Sequence, residues 1–188
     1  IPLRSLFETP TVAGLAEKIE KSTTKSATGL IKPRLNRHSA EVSFAQQRLW
    51  FLDQLEHNGS LYNVPRALRL TGTLDVEALQ QALNEIVSRH EPFRTHFESV
   101  DGGLRQIISD RADIALTLSD LSNLPHEERE QRAKQAIREQ ATRPFDLARG
   151  PVIRAHLLRL EEREHILLLT THHIVSDAWS AGILFREL

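Results

Sequence analysis

The sequence contains no cysteine and no methionine, and only eight glycines and eight prolines occur among its 188 residues. The lack of cysteine excludes a disulfide framework and any metal site built on thiolates. No run of eighteen or more apolar residues occurs, so we expect no membrane span, and we expect no secretory signal. Together these absences favour a cytoplasmic protein. Because the chain begins at Ile1 and has no methionine at all, we also expect it to be a piece of a longer polypeptide.

An excess of charge of one sign is also lacking. Lysine and arginine number 24 and aspartate and glutamate number 25, which gives a formal net charge of -1. A nucleic-acid partner is not expected, because phosphate contacts need a clustered excess of basic side chains. The hydrophobic fraction of 40% lies in the ordinary globular range, so the chain can form a packed core.

Hydrophobic spacing divides the chain into three parts. In residues 1–20, Thr9 followed by Pro10 predicts a helix start, and apolar residues then recur at helical spacing. Residues 21–38 are rich in Ser, Thr and Lys without periodicity, which predicts a linker. Residues 39–188 alternate strand and helix patterns, which predicts an α/β layered domain with a central sheet. The predicted helices are 43–55, 75–86 and 127–141, and the predicted strands are 62–70, 94–100, 104–108, 114–118, 152–160 and 166–169.

The best candidates for catalytic residues follow the apolar run 166–169, which is typical of a short strand buried on both faces. Directly after it, residues 171–180 read THHIVSDAWS, so His172, His173 and Asp177 lie between a strand end and a helix start. In α/β sheets that edge is where ligands usually bind. Neighbouring side chains on a strand point in opposite directions, so one histidine can enter a cleft and the other is structural.

Other chemistries fit this segment poorly. A zinc site is not predicted, because there is no HExxH motif, no cysteine and no third ligand at a recognisable spacing. A Ser-His-Asp hydrolase built on Ser176 is not favoured, because adjacent side chains cannot align as a relay and no GxSxG motif occurs. Asp177 is also explained as a helix N-cap.

Four segments carry a resemblance to the condensation domains of nonribosomal peptide synthetases. HHIVSDAWS (172–180) resembles their HHxxxDG signature and, more loosely, that of chloramphenicol acetyltransferase-like acyltransferases. SFAQQRLWFL (43–52) is similar to SxAQxRLWxL, RHEPFRT (89–95) to RHExLRT, and PFDL (144–147) with GPVIR (150–154) to a further family segment. The family usually has glycine where this chain has Ala178. LFETPTVAGLAEKI, within residues 1–20, resembles the last helix of a peptidyl carrier domain.

The resemblance implies a chloramphenicol acetyltransferase-like α/β fold with a central mixed sheet and flanking helices. Residues 39–188 would be the amino-terminal half of a pseudo-dimeric condensation domain, after a carrier remnant (1–20) and a linker (21–38). Its reaction joins a donor acyl thioester to the amine of an acceptor aminoacyl thioester, and both are carried on 4′-phosphopantetheine. We expect no directly bound cofactor and no metal. The implied partners are the upstream and downstream carrier domains, the carboxyl-terminal half of the condensation domain and an adenylation domain.

The resemblance also implies roles for single residues. His173 would act as a base or would position the amine, His172 would be structural, and Asp177 would form an ion pair with Arg94. Ala178, Trp179 and Ser180 would line the substrate channel. The first signature and residues 62–65 look most like members that join two L-residues. An epimerisation domain shares HHxxxD but differs in the other signatures, and a heterocyclising relative would replace the histidines. A non-catalytic carrier-docking module stays open. We expect the 188 residues alone to be inactive.

Overall fold

The computed structural model describes residues 4–22, 34, 36–56 and 59–188, and its contacts divide the chain into two units, residues 1–35 and 36–188. The first unit contains α1 (Arg4–Glu8) and α2 (Val12–Ser22). The predicted start of the second helix at Thr9 is wrong, because the hydroxyl of Thr11 accepts the N–H of Gly14 at 3.2 Å and caps α2. Most of the predicted linker, 21–38, lies outside the described residues.

The described part of the second unit alternates strands and helices. Its elements are β1 (Ser39–Glu41), α3 (Phe44–Leu55), β2 (Asn63–Thr71), α4 (Val76–Arg89), a 3₁₀ turn (Glu91–Arg94), β3 (Thr95–Val100), β4 (Gly103–Ile108), β5 (Leu116–Asp120), α5 (His126–Thr142), β6 (Ile153–Glu161), β7 (Glu164–His172) and α6 (Ala178–Glu187). A four-stranded sheet has the order β2-β7-β6-β5, in which only β5 and β6 are parallel, and an antiparallel sheet has the order β1-β4-β3. The prediction of a central mixed sheet with flanking helices is confirmed. None of the described helices is long and apolar enough to cross a membrane.

β7 lies inside the four-stranded sheet, with β2 on one side and β6 on the other. Leu167 and Leu169 pack in the cluster that includes residues of α4 and α6, whereas Leu168 packs in the cluster that includes Ala133 of α5. The strand predicted at 166–169, buried on both faces, is therefore confirmed. In the neighbouring strand β6, the alternation of Ile153, Ala155 and Leu157 predicts a strand with one buried face, and this prediction is wrong. Leu157 and Leu158 are both fully buried, because helices cover both faces of the sheet.

The sequence also predicts a helix cap at Asp75, a hairpin turn at residues 101–103 and a sheet-edge or bulge position for Pro65, and the structure agrees with each. Asp75 accepts the N–H of Ala78 at 3.0 Å and begins α4. Asp101 and Gly102 close the β3–β4 hairpin with φ values of 51° and 76°, the left-handed region that such a turn requires. Pro65 lies in β2, at an edge of the four-stranded sheet, where a missing N–H is tolerated.

A second apolar cluster joins the small sheet to the segment that follows β7. Its buried members are Phe97, Phe145, Leu147, Val152 and Ile174, and Trp50 of α3 packs against it. Val175 packs against both this cluster and the large cluster of the central sheet. The chain that follows the histidines is therefore fixed between two cores.

Candidate active site

Residues 173–177 connect β7 to α6, and we call them, together with His172, the histidine turn. The backbone N–H of His172 donates to the carbonyl of Val152 at 3.0 Å, and that of His173 donates to the carbonyl of Tyr62 at 2.8 Å. The N–H of Val175 closes the turn by donating to the carbonyl of His172 at 3.1 Å. Contacts from both sides of β7 therefore hold the turn.

The two histidine side chains point in opposite directions. His172 is only 2% exposed, and its Nδ1 accepts the N–H of Ile174 at 3.1 Å, so its proton lies on Nε2. The rings of Tyr62 and Phe145 approach it with centroid distances of 6.3 and 6.1 Å. Burial, and then the neighbouring His173, lowers the pKa of His172 to about 4, so the ring is neutral near neutral pH. The predicted divergence of the two side chains is confirmed.

The buried neutral ring of His172 predicts a pH-dependent stability. Between pH 6.5 and about 4 the unfolded chain binds a proton that the folded chain excludes, so the free energy of unfolding falls as the pH drops. Above pH 6.5 the stabilisation that comes from keeping the His172 ring neutral is fully present. Its loss between pH 6.5 and about 4 lowers the free energy of unfolding by about 3 kcal/mol in total. Urea unfolding of wild type and His172→Gln between pH 7.5 and 4.5 measures it as the difference between the two curves. His126→Gln removes an exposed histidine and serves as the control. Equal pH slopes for wild type and His172→Gln would contradict the assignment.

His173 is exposed and has a defined tautomer. Its Nδ1 lies 2.5 Å from the carbonyl oxygen of Ser176. A carbonyl oxygen can only accept, so Nδ1 carries the proton and Nε2 has a free lone pair. The turn therefore presents Nε2 as an acceptor for a proton or for an N–H group.

Asp177 begins α6 through a reciprocal capping arrangement. Its carboxylate accepts the N–H of Ser180 at 2.8 Å, and its own N–H donates to the hydroxyl of Ser180 at 2.8 Å. The pKa of Asp177 lies below its usual value, first because of the Ser180 N–H and, to a smaller extent, because of nearby His173. The aspartate of the motif thus has a structural task within its own helix.

The predicted ion pair between Asp177 and Arg94 needs correction, because the structure does not bring the two side chains together. Arg94 donates through Nε to the carbonyl of Ser88 at 3.2 Å and through another guanidinium nitrogen to the carbonyl of Ser109. It also lies 3.9 Å from the carboxylate of Glu91. Arg94 therefore ties the 3₁₀ turn to the end of α4 and to the segment after β4, while the Asp177 carboxylate is engaged in the cap of α6.

These separate contacts predict that substitutions at the two positions act independently. Arg94→Ala should lower the free energy of unfolding by about 2 kcal/mol, because charged hydrogen bonds to two carbonyls are lost. Asp177→Asn should have a small effect, since asparagine is an equally good cap, and Asp177→Ala a larger one. In a double-mutant cycle followed by urea unfolding, the effects of Arg94→Ala and Asp177→Ala should add. A clear coupling between them would restore the predicted pair.

The three predicted channel residues occupy different environments. Ala178 is exposed and is the first residue of α6, where the helical backbone suits alanine better than the usual glycine of the family. Trp179 is 83% exposed. Ser180 is partly buried. Its hydroxyl belongs to the cap, and the residue lines a cavity of about 90 Å³ together with Phe93. Ala178 and Trp179 are therefore exposed, as His173 is, whereas Ser180 is partly buried.

Sequence reasoning missed the role of Gln46. Ser43 and Gln46 form a capping box at the start of α3, a spacing that the sequence itself shows. The Nε2 of Gln46 also donates to the carbonyl of Ile174 at 3.3 Å and to the side chain of Gln106 at 3.0 Å. Gln46 therefore links α3 and the small sheet to the histidine turn. The described side chains contain no group of three or more histidines and acids that could hold a metal ion.

Comparison with known proteins finds a matching family model and several similar synthetases. A family model described as "Condensation domain" matches residues 36–188. Tyrocidine synthase 3 of Brevibacillus parabrevis is 41% identical over 187 residues, which are 100% of this chain and 3% of that protein. Malpibaldin synthetase of Mortierella alpina is 43% identical over 190 residues, which are 100% of this chain and 3% of that protein. The chain thus spans only a few per cent of the length of these relatives.

The fold is shared with solved structures. The starter condensation domain of rhizomide synthetase RzmA superposes with a TM-score of 0.73 at 23% identity, covering 79% of this chain and 37% of that one. A four-domain nonribosomal peptide synthetase bound to AMP and glycine gives a TM-score of 0.69 at 24% identity, covering 85% of this chain and 12% of that one. The unit that internal contacts separate, residues 36–188, is also the unit that the family model matches.

Proposed function

The chain belongs to the condensation-domain family, and we propose on that basis that its histidine turn takes part in peptide-bond formation between two carrier-bound substrates. The amine of an acceptor aminoacyl thioester attacks the carbonyl of a donor acyl or peptidyl thioester. The observation that supports this best is the tautomer of His173, because its protonated Nδ1 is held by the carbonyl of Ser176 and its exposed Nε2 is free to accept.

In this reaction a C–N bond forms and the C–S bond of the donor thioester breaks. The proton that the amine loses ends on the departing sulfur, so the donor phosphopantetheine leaves as a free thiol. An α-amino group has a pKa of about 8, so a useful fraction is already the free base near neutrality. His173 accepts this proton or accepts a hydrogen bond that orients the amine. Such a group contributes about 10²- to 10⁴-fold in rate, and alignment of the two reactants can contribute as much. Neutral His172 adds no positive charge that would oppose proton transfer to its neighbour.

The surroundings of His173 fit a substrate path. Trp179 and Ala178 follow Asp177 at the exposed start of α6, and we assign them to the wall of the channel that the substrates use. Phosphopantetheine arms of an upstream and a downstream carrier domain would deliver the two thioesters to this surface. Residues 1–20 would be the last helix of the upstream carrier and 21–38 the linker, and an adenylation domain would load the acceptor carrier.

A chimera tests the function. Residues 36–188 replace the matching segment of tyrocidine synthase 3, and the protein is supplied with a donor-loaded and an acceptor-loaded carrier domain. Dipeptidyl thioester on the acceptor carrier, detected by mass spectrometry, is the expected product. Inversion of the aminoacyl stereocentre without dipeptide would instead support an epimerisation domain. A folded chimera that binds carriers and changes neither substrate would support a docking module.

A further inference from the structure

An arginine close to the histidine turn makes several hydrogen bonds and one contact with an aromatic ring. Arg154 lies in β6, and its guanidinium donates to three carbonyl oxygens at the end of α5 and just after it, those of Gln140 (3.2 Å), Arg143 (2.5 Å) and Pro144 (2.8 Å). The amide of Asn63 donates to two carbonyls of the same segment, those of Ala141 and Arg143, at 2.8 Å each. The segment that leads to Phe145 is therefore held from two strands, β2 and β6.

The position of Arg154 is costly for a cation. Burial, and then nearby Arg143, lowers the pKa of Arg154 to about 10, so the side chain is charged near neutrality although it is partly removed from water. Among the described contacts its hydrogen bonds go to carbonyl oxygens, and its remaining face lies over the ring of Phe145, 3.8 Å from the centroid. An apolar side chain would avoid the desolvation cost. A planar, forked cation adds a fixed orientation of the ring and the loop.

Phe145 transmits this orientation to the histidine turn. Its ring is 8% exposed and meets the ring of His172 edge to face, at 84° and 6.1 Å. The Nδ1 of His172 in turn accepts the N–H of Ile174, the residue that follows His173. A rotation of the His172 ring would break that hydrogen bond. The backbone next to His173 would then lose one of the contacts that fix it.

We propose that Arg154 and Phe145 are positioning residues for the reaction: the stacked pair fixes the ring of His172, and that ring fixes the backbone that aims His173. This inference rests on the proposed function for its effect on rate, and on the contacts alone for its effect on the turn. Neither residue touches the substrate in this scheme.

The first test reads the histidine tautomer and needs no activity. In the 188-residue chain, ¹⁵N NMR should show His172 with Nδ1 unprotonated, and the Ile174 amide should be protected from hydrogen exchange. In Phe145→Leu and in Arg154→Lys the tautomer should become mixed and the exchange of that amide should become faster. If Phe145→Leu fails to fold, Arg154→Lys alone tests the proposal, since lysine keeps the charge but lacks the planar fork of the guanidinium. Arg159→Lys, which changes a partly exposed arginine of the same strand paired with Asp120, is the matched control and should leave both signals unchanged.

The second test reads the rate in the chimera. Arg154→Lys should lower kcat about tenfold with the KM for the loaded carriers unchanged, because a misaimed base affects the chemical step. Arg159→Lys should leave both constants unchanged. An inactive wild-type chimera would overturn the proposed function, while the NMR result would still decide whether the pair positions the turn. An active chimera in which Arg154→Lys keeps both the tautomer and kcat would overturn the inference.

Discussion

Replacing His173 by alanine in the chimera is expected to lower kcat for dipeptide formation by about a hundredfold or more. The reason lies in the geometry of the turn, where the carbonyl of Ser176 holds the proton of Nδ1 and leaves Nε2 as the exposed acceptor. Alanine removes that acceptor and leaves the backbone bond from residue 173 to the carbonyl of Tyr62 intact. Single-turnover formation of dipeptidyl thioester, with both carriers loaded beforehand, measures the effect without interference from loading.

The same position separates the two roles that His173 can have. Glutamine at 173 offers a hydrogen-bond acceptor at a similar reach but is not a base at neutral pH. If proton transfer is the main contribution, His173→Gln and His173→Ala should lose equal activity. If orientation of the amine is the main contribution, His173→Gln should keep most of it. His126→Gln, at an exposed histidine at the start of α5, should be unaffected, and near wild-type activity of His173→Ala would refute both roles.

Local signals in the sequence were sufficient for much of the fold. Asp75 caps α4, Asp101 and Gly102 turn the β3–β4 hairpin, and the run 166–169 forms a central strand, because each of these depends on a few neighbouring residues. Strand β6 shows the limit of this reasoning. Its hydrophobic period cannot reveal that α5 covers the second face, since that contact comes from outside the strand's own sequence.

In the candidate site, too, some features could be predicted from the local sequence and others could not. The alternation of side chains on a strand was enough to predict that His172 turns inward and His173 outward. The ion pair between Asp177 and Arg94 came from resemblance, and the structure replaces it with a helix cap and a set of carbonyl contacts. The support from Gln46 was not predictable, because a capping box does not show where the other side of the amide points.

A polypeptide of these 188 residues, produced by itself, is expected to form no dipeptide above the uncatalysed rate, although it contains His173. Much of the expected rate enhancement comes from holding an amine and a thioester carbonyl in contact, and this requires surfaces on both sides of the reacting atoms. In the structure His173 and Trp179 are exposed, so this chain provides one side.

Complementation in trans tests this expectation. The 188-residue polypeptide is mixed with donor-loaded and acceptor-loaded carriers, with and without a second polypeptide that follows the matching segment in tyrocidine synthase 3. Dipeptidyl thioester should appear only in the complete mixture, and the same mixture with His173→Ala should fail, because a second wall cannot replace the missing Nε2. Product formation by the 188 residues alone, at the rate of the chimera, would show that the turn aligns both thioesters without a second wall. Restored activity with His173→Ala would show that the acceptor for the amine proton lies in the added polypeptide, and the role of the turn would then be to shape the channel.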